Sequence, residues 1–188
     1  MKLKRYLLLL AVSIFVVGAA FIAKSGYYYA KGIVAQVLLN HAWETTKKTG
    51  EPTKAWRWAD TVPIGRIKIP SIKMNRTILQ NANTESLAFG PAHVAKTAMP
   101  GKNGNIVLAG HRDNFFTQLE FVSLKDSIII ESKGNEKTYF IDEIKIVNPT
   151  EVKWLDSTSD NCVTLITCYP FDFLGDAPKR FIVRAFEN

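Results

Sequence analysis

The sequence predicts an all-β domain of eight strands, a closed barrel or a sandwich, behind an N-terminal membrane-spanning helix. From Val62 onwards, short runs rich in β-branched and aromatic residues alternate with Gly, Pro and Asn residues typical of turns. Many short strands with few helices are typical of barrels and sandwiches. Splitting the longest run at Asp142 or Glu143 gives eight strands from the runs GRIKI, RTIL, NIVLAG, SIIIE, KTYFIDEIKIV, CVTLITC and RFIVRAF.

The N-terminal segment has the charge pattern of a membrane anchor. Three basic residues precede an uncharged run of 18 residues from Tyr6 to Ala23, and Lys24 follows it. This run is at the short end of the roughly 17–25 residues that span a bilayer. The basic flank predicts a cytoplasmic N-terminus, with the rest of the chain outside. The alternative is a cleaved signal peptide with Gly18 and Ala20 at its cleavage site, but the apolar run continues beyond Ala20.

A second helix is predicted between this anchor and the strands. Apolar residues recur at helical spacing along one stripe, with His41 on the same face: Ala30, Ile33, Val34, Val37 and Leu38. Gly50 and Pro52 end the helix, and a connector follows. The predicted parts are a cytoplasmic flank and transmembrane anchor (residues 1–24), an amphipathic helix and linker (25–61) and the β domain (62–188).

The net charge of +7 does not indicate nucleic-acid binding by the β domain. Residues 1–60 carry nine Lys or Arg against three Asp or Glu, whereas residues 61–188 carry 15 against 14. The excess positive charge therefore lies on the N-terminal arm, and a basic groove in the β domain is not expected.

The two cysteines, Cys162 and Cys168, lie on one predicted strand. Six residues of extended chain separate their Cα atoms by about 20 Å, whereas a disulfide requires roughly 7 Å or less. A metal site is equally disfavoured, because His41, His93 and His111 are scattered and no CxxC or HxxxH spacing occurs. At least one thiol is therefore free. Cys162 suits a buried position in the sheet, whereas Cys168 stands where its strand ends.

A reactive thiol needs a positively charged neighbour that stabilises the thiolate. His111 ends another predicted strand. Arg180 begins the last strand, which forms a hairpin with the strand of Cys168, so that Arg180 starts beside the point where Cys168 ends. Arg184 has the same side-chain parity but lies about 13 Å further along. Arg180 is therefore the better candidate partner.

Three motifs in this order, LAGHRDNFF, TLITCYPF and RFIVRA, resemble those of sortases, the membrane-anchored cysteine transpeptidases of Gram-positive cell walls. The upstream segments IGRIKIPSI and PGKNGNIVLAGH fit the same family, so the likeness spans residues 62–188. GHRDNFF together with TCYPF most resembles class D sortases. The resemblance implies a closed eight-stranded β-barrel with its catalytic residues at one rim.

The resemblance also implies roles for three residues. Cys168 would be the nucleophile, His111 the acid and base, and Arg180 the stabiliser of the oxyanion or substrate backbone. The implied reaction cleaves an LPxTG-like sorting signal after Thr through a Cys168 thioester, which an amine of a peptidoglycan precursor (lipid II) then resolves. The backbone N–H of Tyr169 is a second oxyanion donor by position. Thr167 points to the face opposite Cys168 by strand parity.

Other interpretations remain open from the sequence. The chain could be a membrane-tethered β-barrel binding module without catalysis, or a sortase that polymerises pilins. His93 is a second candidate histidine, and Asp113 is expected to cap or pair locally rather than orient His111. No cofactor or metal is predicted. Some class A sortases bind Ca²⁺ before the histidine strand, but AHVAKTAMPGKNGN contains no carboxylate for it.

Overall fold

The computed structural model describes residues 2–187 and confirms the predicted closed β-barrel behind a long N-terminal helix. The two α-helices are α1 (Lys2–Thr49) and α2 (Thr84–Leu87). The strands are β1 (Pro63–Ile69), β2 (Met74–Leu79), β3 (Ala92–His93), β4 (Asn105–Ala109), β5 (Ser127–Ser132), β6 (Asn135–Val147), β7 (Cys162–Tyr169) and β8 (Lys179–Glu187). Short 3-10 helices lie at Pro70–Ile72, Thr117–Phe121 and Val152–Leu155.

The barrel closes in the order β1-β2-β3-β4-β7-β8-β6-β5, with β5 paired back to β1. The total of eight strands is as predicted, but two of the strands differ. The prediction that the run 137–147 divides at Asp142 or Glu143 is wrong. A register shift between Ile141 and Glu143 lets β6 continue as one strand of 13 residues. The strand that the prediction missed is β3, because its two residues are too few to give an alternating sequence pattern.

Alternation of buried side chains builds the barrel core. In β1 every second residue is buried, and Ile67 and Ile69 are fully buried in the main apolar cluster. Leu165 and Val183 reach the same cluster from β7 and β8. Burying each aliphatic side chain of this size contributes about 1.5–3 kcal/mol. The intervening residues face outwards, and this alternation decides which side chains reach the outer wall at the barrel rim.

Residues 1–37 form one compact unit, which consists of helix in its described part. Every side chain in residues 3–34 is exposed. The segment is long and apolar enough to cross a membrane. No break separates the predicted anchor from the predicted amphipathic helix, because α1 is continuous to Thr49.

Residues 38–188 form the second compact unit, so the last turns of α1 belong with the barrel. Leu39 and Trp43 are fully buried there, although both lie off the predicted apolar stripe. The stripe itself does not pack: Val34 and Val37 are more than half exposed, and His41 is exposed. Apolar residues occur on most sides of this helix, so their spacing did not identify the packed face.

An ion-pair network fixes this end of α1 to the outer wall of the barrel. The carboxylate of Glu131 on β5 lies 2.6 Å from Lys47 Nζ and 3.2 Å from Lys68 Nζ. It also accepts a hydrogen bond of 3.2 Å from Trp43 Nε1. Burial alone would raise the pKa of Glu131, but the hydrogen bonds from Lys47, Lys68 and Trp43 outweigh it and lower the pKa to about 2.

This lowered pKa predicts acid-sensitive stability. The folded state binds a proton at Glu131 less readily than the unfolded chain does. The stabilisation is therefore complete above pH of about 4.5 and is lost as the pH falls towards about 2. We expect Glu131→Gln to lower the free energy of unfolding by about 2–3 kcal/mol at pH 7 and by much less at pH 2.5.

Urea unfolding of the full chain in detergent micelles at both pH values measures this difference. Glu120→Gln is the matched control, because Glu120 is exposed and takes part in no ion pair among residues 2–187. A pH-independent loss in Glu131→Gln would contradict the electrostatic origin of the effect.

Candidate active site

The two cysteines occupy different environments, as predicted. Both are free thiols, so the structure excludes a disulfide between them. Cys162 is fully buried at the start of β7, where its Sγ lies 3.4 Å from Asn105 Oδ1 and 3.4 Å from Thr158 Oγ1. Cys168 is partly exposed near the end of β7. Of the two thiols, only that of Cys168 is accessible to a ligand.

Arg180 lies directly beside Cys168, as the predicted hairpin requires. β7 and β8 are antiparallel, and Cys168 and Arg180 are cross-strand partners. Opposed residues of an antiparallel pair have Cβ atoms about 4.5–5.5 Å apart and share a face of the sheet. Arg180 Nη1 donates to the carbonyl oxygens of Ala177 at 3.2 Å and Lys179 at 3.0 Å. The guanidinium is therefore held by the backbone at the start of β8.

His111 approaches Cys168 from the opposite side of β7. β4 and β7 are parallel, with Ala109 paired to Ile166, and His111 is the second residue after Ala109. Extending this register by two residues brings His111 level with Cys168. The extension is supported by two hydrogen bonds: Gly110 N donates to Ile166 O at 3.2 Å, and Thr167 Oγ1 donates to Gly110 O at 2.7 Å.

The turn that carries His111 requires glycine at position 110. A Cβ atom on Gly110 would lie 2.7 Å from the ring of Phe116, which is fully buried in the core. The backbone N–H of Phe116 donates to His111 O at 3.0 Å and closes the turn. The backbone at His111 is thus fixed, while its side chain is exposed.

Strand parity places Cys168 and Arg180 on the outer wall of the barrel. Their neighbours of the same parity, Ile166 and Ile182, pack in a small outer cluster with Trp154 of the loop between β6 and β7. Thr167 has the opposite parity and is 2% exposed, which agrees with the predicted orientation. Trp154 and Ile182 are themselves buried, so the cluster packs the loop between β6 and β7 onto this wall.

Neither His93 nor Arg184 joins this site. His93 is buried on β3, where its Nε2 lies 3.0 Å from both Ala98 O and Thr97 Oγ1. These contacts indicate a structural role. Arg184 Nε donates to Thr164 Oγ1 at 3.0 Å, and its guanidinium lies 4.8 Å from the centroid of the Trp154 ring. Asp113 is exposed on the turn after His111.

One residue that the sequence did not single out reaches the site through a distant contact. Arg112 Nη2 donates to the carbonyl oxygens of Phe173 and Gly175, in the loop between β7 and β8. Sixty-one residues separate Arg112 from Phe173, so no local pattern could indicate the pair. Its position next to His111 was the one available signal.

This arrangement is suited to nucleophilic chemistry. A partly exposed thiol stands between a histidine turn on one neighbouring strand and an arginine on the other. Nearby cations favour the thiolate, and an imidazole within reach can move a proton to or from a reacting nitrogen. Among residues 2–187, no group of three His, Cys, Asp or Glu side chains is placed to hold a metal ion.

Comparison with known proteins identifies the family. The sortase-domain family model matches residues 67–188. Sortase D of Bacillus subtilis is 34% identical over 121 residues, covering 63% of this chain and 61% of the relative. Sortase A of Listeria monocytogenes is 34% identical over 123 residues, covering 63% of this chain and 54% of the relative. The chain thus spans between half and two thirds of the length of these curated relatives.

Solved structures agree with the sequence matches. The Clostridium perfringens sortase D5 transpeptidase has a TM-score of 0.63 and 27% identity, covering 80% of this chain and 91% of that structure. Sortase A from Corynebacterium diphtheriae has a TM-score of 0.63 and 31% identity, covering 70% and 63%. The D-type relatives accord with the predicted resemblance to class D. With its family-model match over residues 67–188, the chain belongs to the sortase family.

Proposed function

We propose that this protein is a membrane-anchored cysteine transpeptidase that cleaves an LPxTG-like sorting signal after Thr. It would transfer the new carboxyl end to an amine of a cell-wall precursor such as lipid II. The observation that carries the proposal is the position of Cys168, a partly exposed thiol on β7 flanked by the His111 turn and by Arg180. Family membership supports the same reaction class.

The first half of the reaction forms a thioester. The Cys168 thiolate attacks the carbonyl carbon of the signal's Thr, and a tetrahedral oxyanion forms. The guanidinium of Arg180 and the backbone N–H of Tyr169 are the proposed donors to this oxyanion or to the adjacent substrate backbone. The C–N bond after Thr then breaks, and His111 gives its proton to the departing amine nitrogen.

The second half restores the enzyme. The acceptor amine attacks the thioester carbonyl, and its excess proton passes to His111. Collapse of the second tetrahedral species breaks the C–S bond and releases the Cys168 thiolate. The product is an amide between Thr and the acceptor, so no net oxidation and no external cofactor is needed.

The proposed location follows from α1. Its N-terminal part would cross the membrane once, with the basic flank of Lys2, Lys4 and Arg5 in the cytoplasm. The barrel would then act on the outer side, where sorting signals and lipid-linked precursors meet.

Full-length protein in detergent micelles, incubated with a library of LPxTG-like peptides, tests this function. We expect mass spectrometry to show cleavage after Thr, a transient acyl adduct on Cys168, and a Thr–acceptor amide when an amine is added. Arms with a peptidoglycan stem peptide and with a Lys-containing pilin-type peptide distinguish wall anchoring from pilin polymerisation. A protein that forms no adduct, and whose Cys168 reacts with a methanethiosulfonate only after unfolding, would be an inert binding module instead.

A further inference from the structure

The loop 170–178 between β7 and β8 is held to the barrel by arginine side chains. Among residues 2–187, no backbone–backbone hydrogen bond outside the helices and strands involves this loop. Residues 172–176 are all exposed. The carbonyl oxygens that are bonded accept from Arg112 at Phe173 and Gly175, and from Arg180 at Ala177. Phe171 anchors the start of the loop by packing on the rings of Tyr169 and Phe181, so the two arginines hold the part from Phe173 to Ala177.

Arg112 makes a bridge that few other residues could make. One guanidinium nitrogen, Nη2, donates to two carbonyl oxygens that lie two residues apart, with the bond to Gly175 O at 3.0 Å. The chain turns at Gly175, which carries the second carbonyl oxygen and whose φ of +95° disfavours other residues. Both bonds come from one nitrogen, so a lysine differs chiefly in its shorter side chain, which brings its ammonium less far towards the two carbonyl oxygens.

The bridge joins the two sides of the candidate site. Arg112 follows His111 directly and shares its fixed turn, while the loop follows the strand that carries Cys168. Inside the bridged segment, Leu174 is 94% exposed and Phe173 is 41% exposed. Two large apolar side chains are thus exposed on the loop that follows the strand of Cys168, although exposing them stabilises nothing in the isolated protein.

We propose that Arg112 is a positioning residue that clamps the loop 170–178 in the arrangement that receives the donor peptide, with Leu174 as its apolar contact. This inference rests on the proposed function and adds a specificity element to it. Arg112 acts through the loop and not on the reacting atoms. Its loss therefore weakens peptide binding and leaves the chemical step largely intact.

The test compares Arg112→Met, Arg112→Lys and Arg57→Met in the full chain in detergent micelles. Met keeps the length of the side chain without its donors, and Arg57 is an exposed arginine outside the site. We expect Arg112→Met to raise KM for the peptide about tenfold with kcat within about threefold of wild type. Arg112→Lys should raise KM about threefold, because one carbonyl can still be bonded. Arg57→Met should leave both constants unchanged.

A double-mutant cycle shows whether Arg112 acts through the loop. Leu174→Ala should raise KM about threefold in the wild-type background but less than about 1.5-fold in Arg112→Met, because an unclamped loop no longer presents Leu174. Full additivity of the two effects would overturn the proposal. A fall in kcat with unchanged KM would also overturn it, because Arg112 would then act on the chemistry through His111.

Hydrogen exchange separates failure of the clamp from failure of the proposed function. Amides of residues 171–177 should exchange faster in Arg112→Met than in wild type, while those of residues 163–167 on β7 should not change. If no peptide is cleaved by any variant, the proposed function fails, and this measurement still decides the clamp. Unchanged exchange in the loop refutes the clamp whatever the activity.

Discussion

Replacing Cys168 with Ala should abolish peptide cleavage, a loss of at least about 10⁴-fold, whereas Cys162→Ala should keep cleavage within about twofold of wild type. The reason lies in the two environments on β7. Cys168 is partly exposed and paired with Arg180, whereas Cys162 is fully buried six residues earlier. Without the Cys168 thiol, no thioester can form.

Cys162→Ala serves as the matched control for this experiment, because it removes the same atoms from the same strand. Its cost should appear in stability, by about 1 kcal/mol, since the Sγ atom contacts Asn105 and Thr158 in a packed site. The measurement is the initial rate of peptide cleavage by each full-length variant, with the intact mass recorded during turnover. An acyl adduct in Cys168→Ala, or equal losses of activity in the two variants, would show that the nucleophile is misassigned.

The site was predictable from sequence where neighbouring strands are also neighbours in the chain. β7 and β8 form a hairpin, so the ends of the two runs identify Cys168 and Arg180 as partners without any knowledge of the remaining barrel. The distance argument against a disulfide was equally local, because it needed only the rise per residue of a strand. Both predictions are confirmed by the pairing register and by the free thiols.

Features that depend on long-range pairing were not predictable in this way. The parallel register of β4 with β7, which brings His111 level with Cys168, joins segments more than 50 residues apart. The family resemblance supplied that association, not the spacing of the residues. The hydrogen bond from Arg112 to Gly175 was equally unpredictable, because it joins residues 63 positions apart in the chain.

Two errors show where local patterns mislead. A 13-residue strand with a bulge resembles two strands, because the acidic residues near its centre interrupt the apolar run. In α1, apolar residues on several sides left the packed face undetermined, and the barrel contacts the side with Leu39 and Trp43. Tertiary packing determines both the continuity of β6 and the packed face of α1, because local sequence preferences are weak.

Because this face of α1 is packed on the barrel, we expect Trp43→Ala to be strongly destabilising although Trp43 lies outside the barrel strands. Trp43 is fully buried, and its Nε1 donates to Glu131 at 3.2 Å. Truncation removes a large apolar side chain and one of the three hydrogen bonds that hold the Glu131 carboxylate. We expect the free energy of unfolding to fall by about 3–5 kcal/mol.

Trp58→Ala is the matched control, because Trp58 is 79% exposed and its loss should change stability by less than about 0.5 kcal/mol.

Unfolding of the barrel can be followed in a Cys168→Ala background as the urea concentration at which buried Cys162 becomes reactive to a thiol reagent. This readout does not respond to the exposed part of α1 at residues 3–34. If the two Trp variants had equal urea midpoints of unfolding, the end of α1 would contact the barrel without stabilising it. A large difference would make residues 38–49 part of the β-barrel domain, so that truncation at the first strand would remove a piece of its fold.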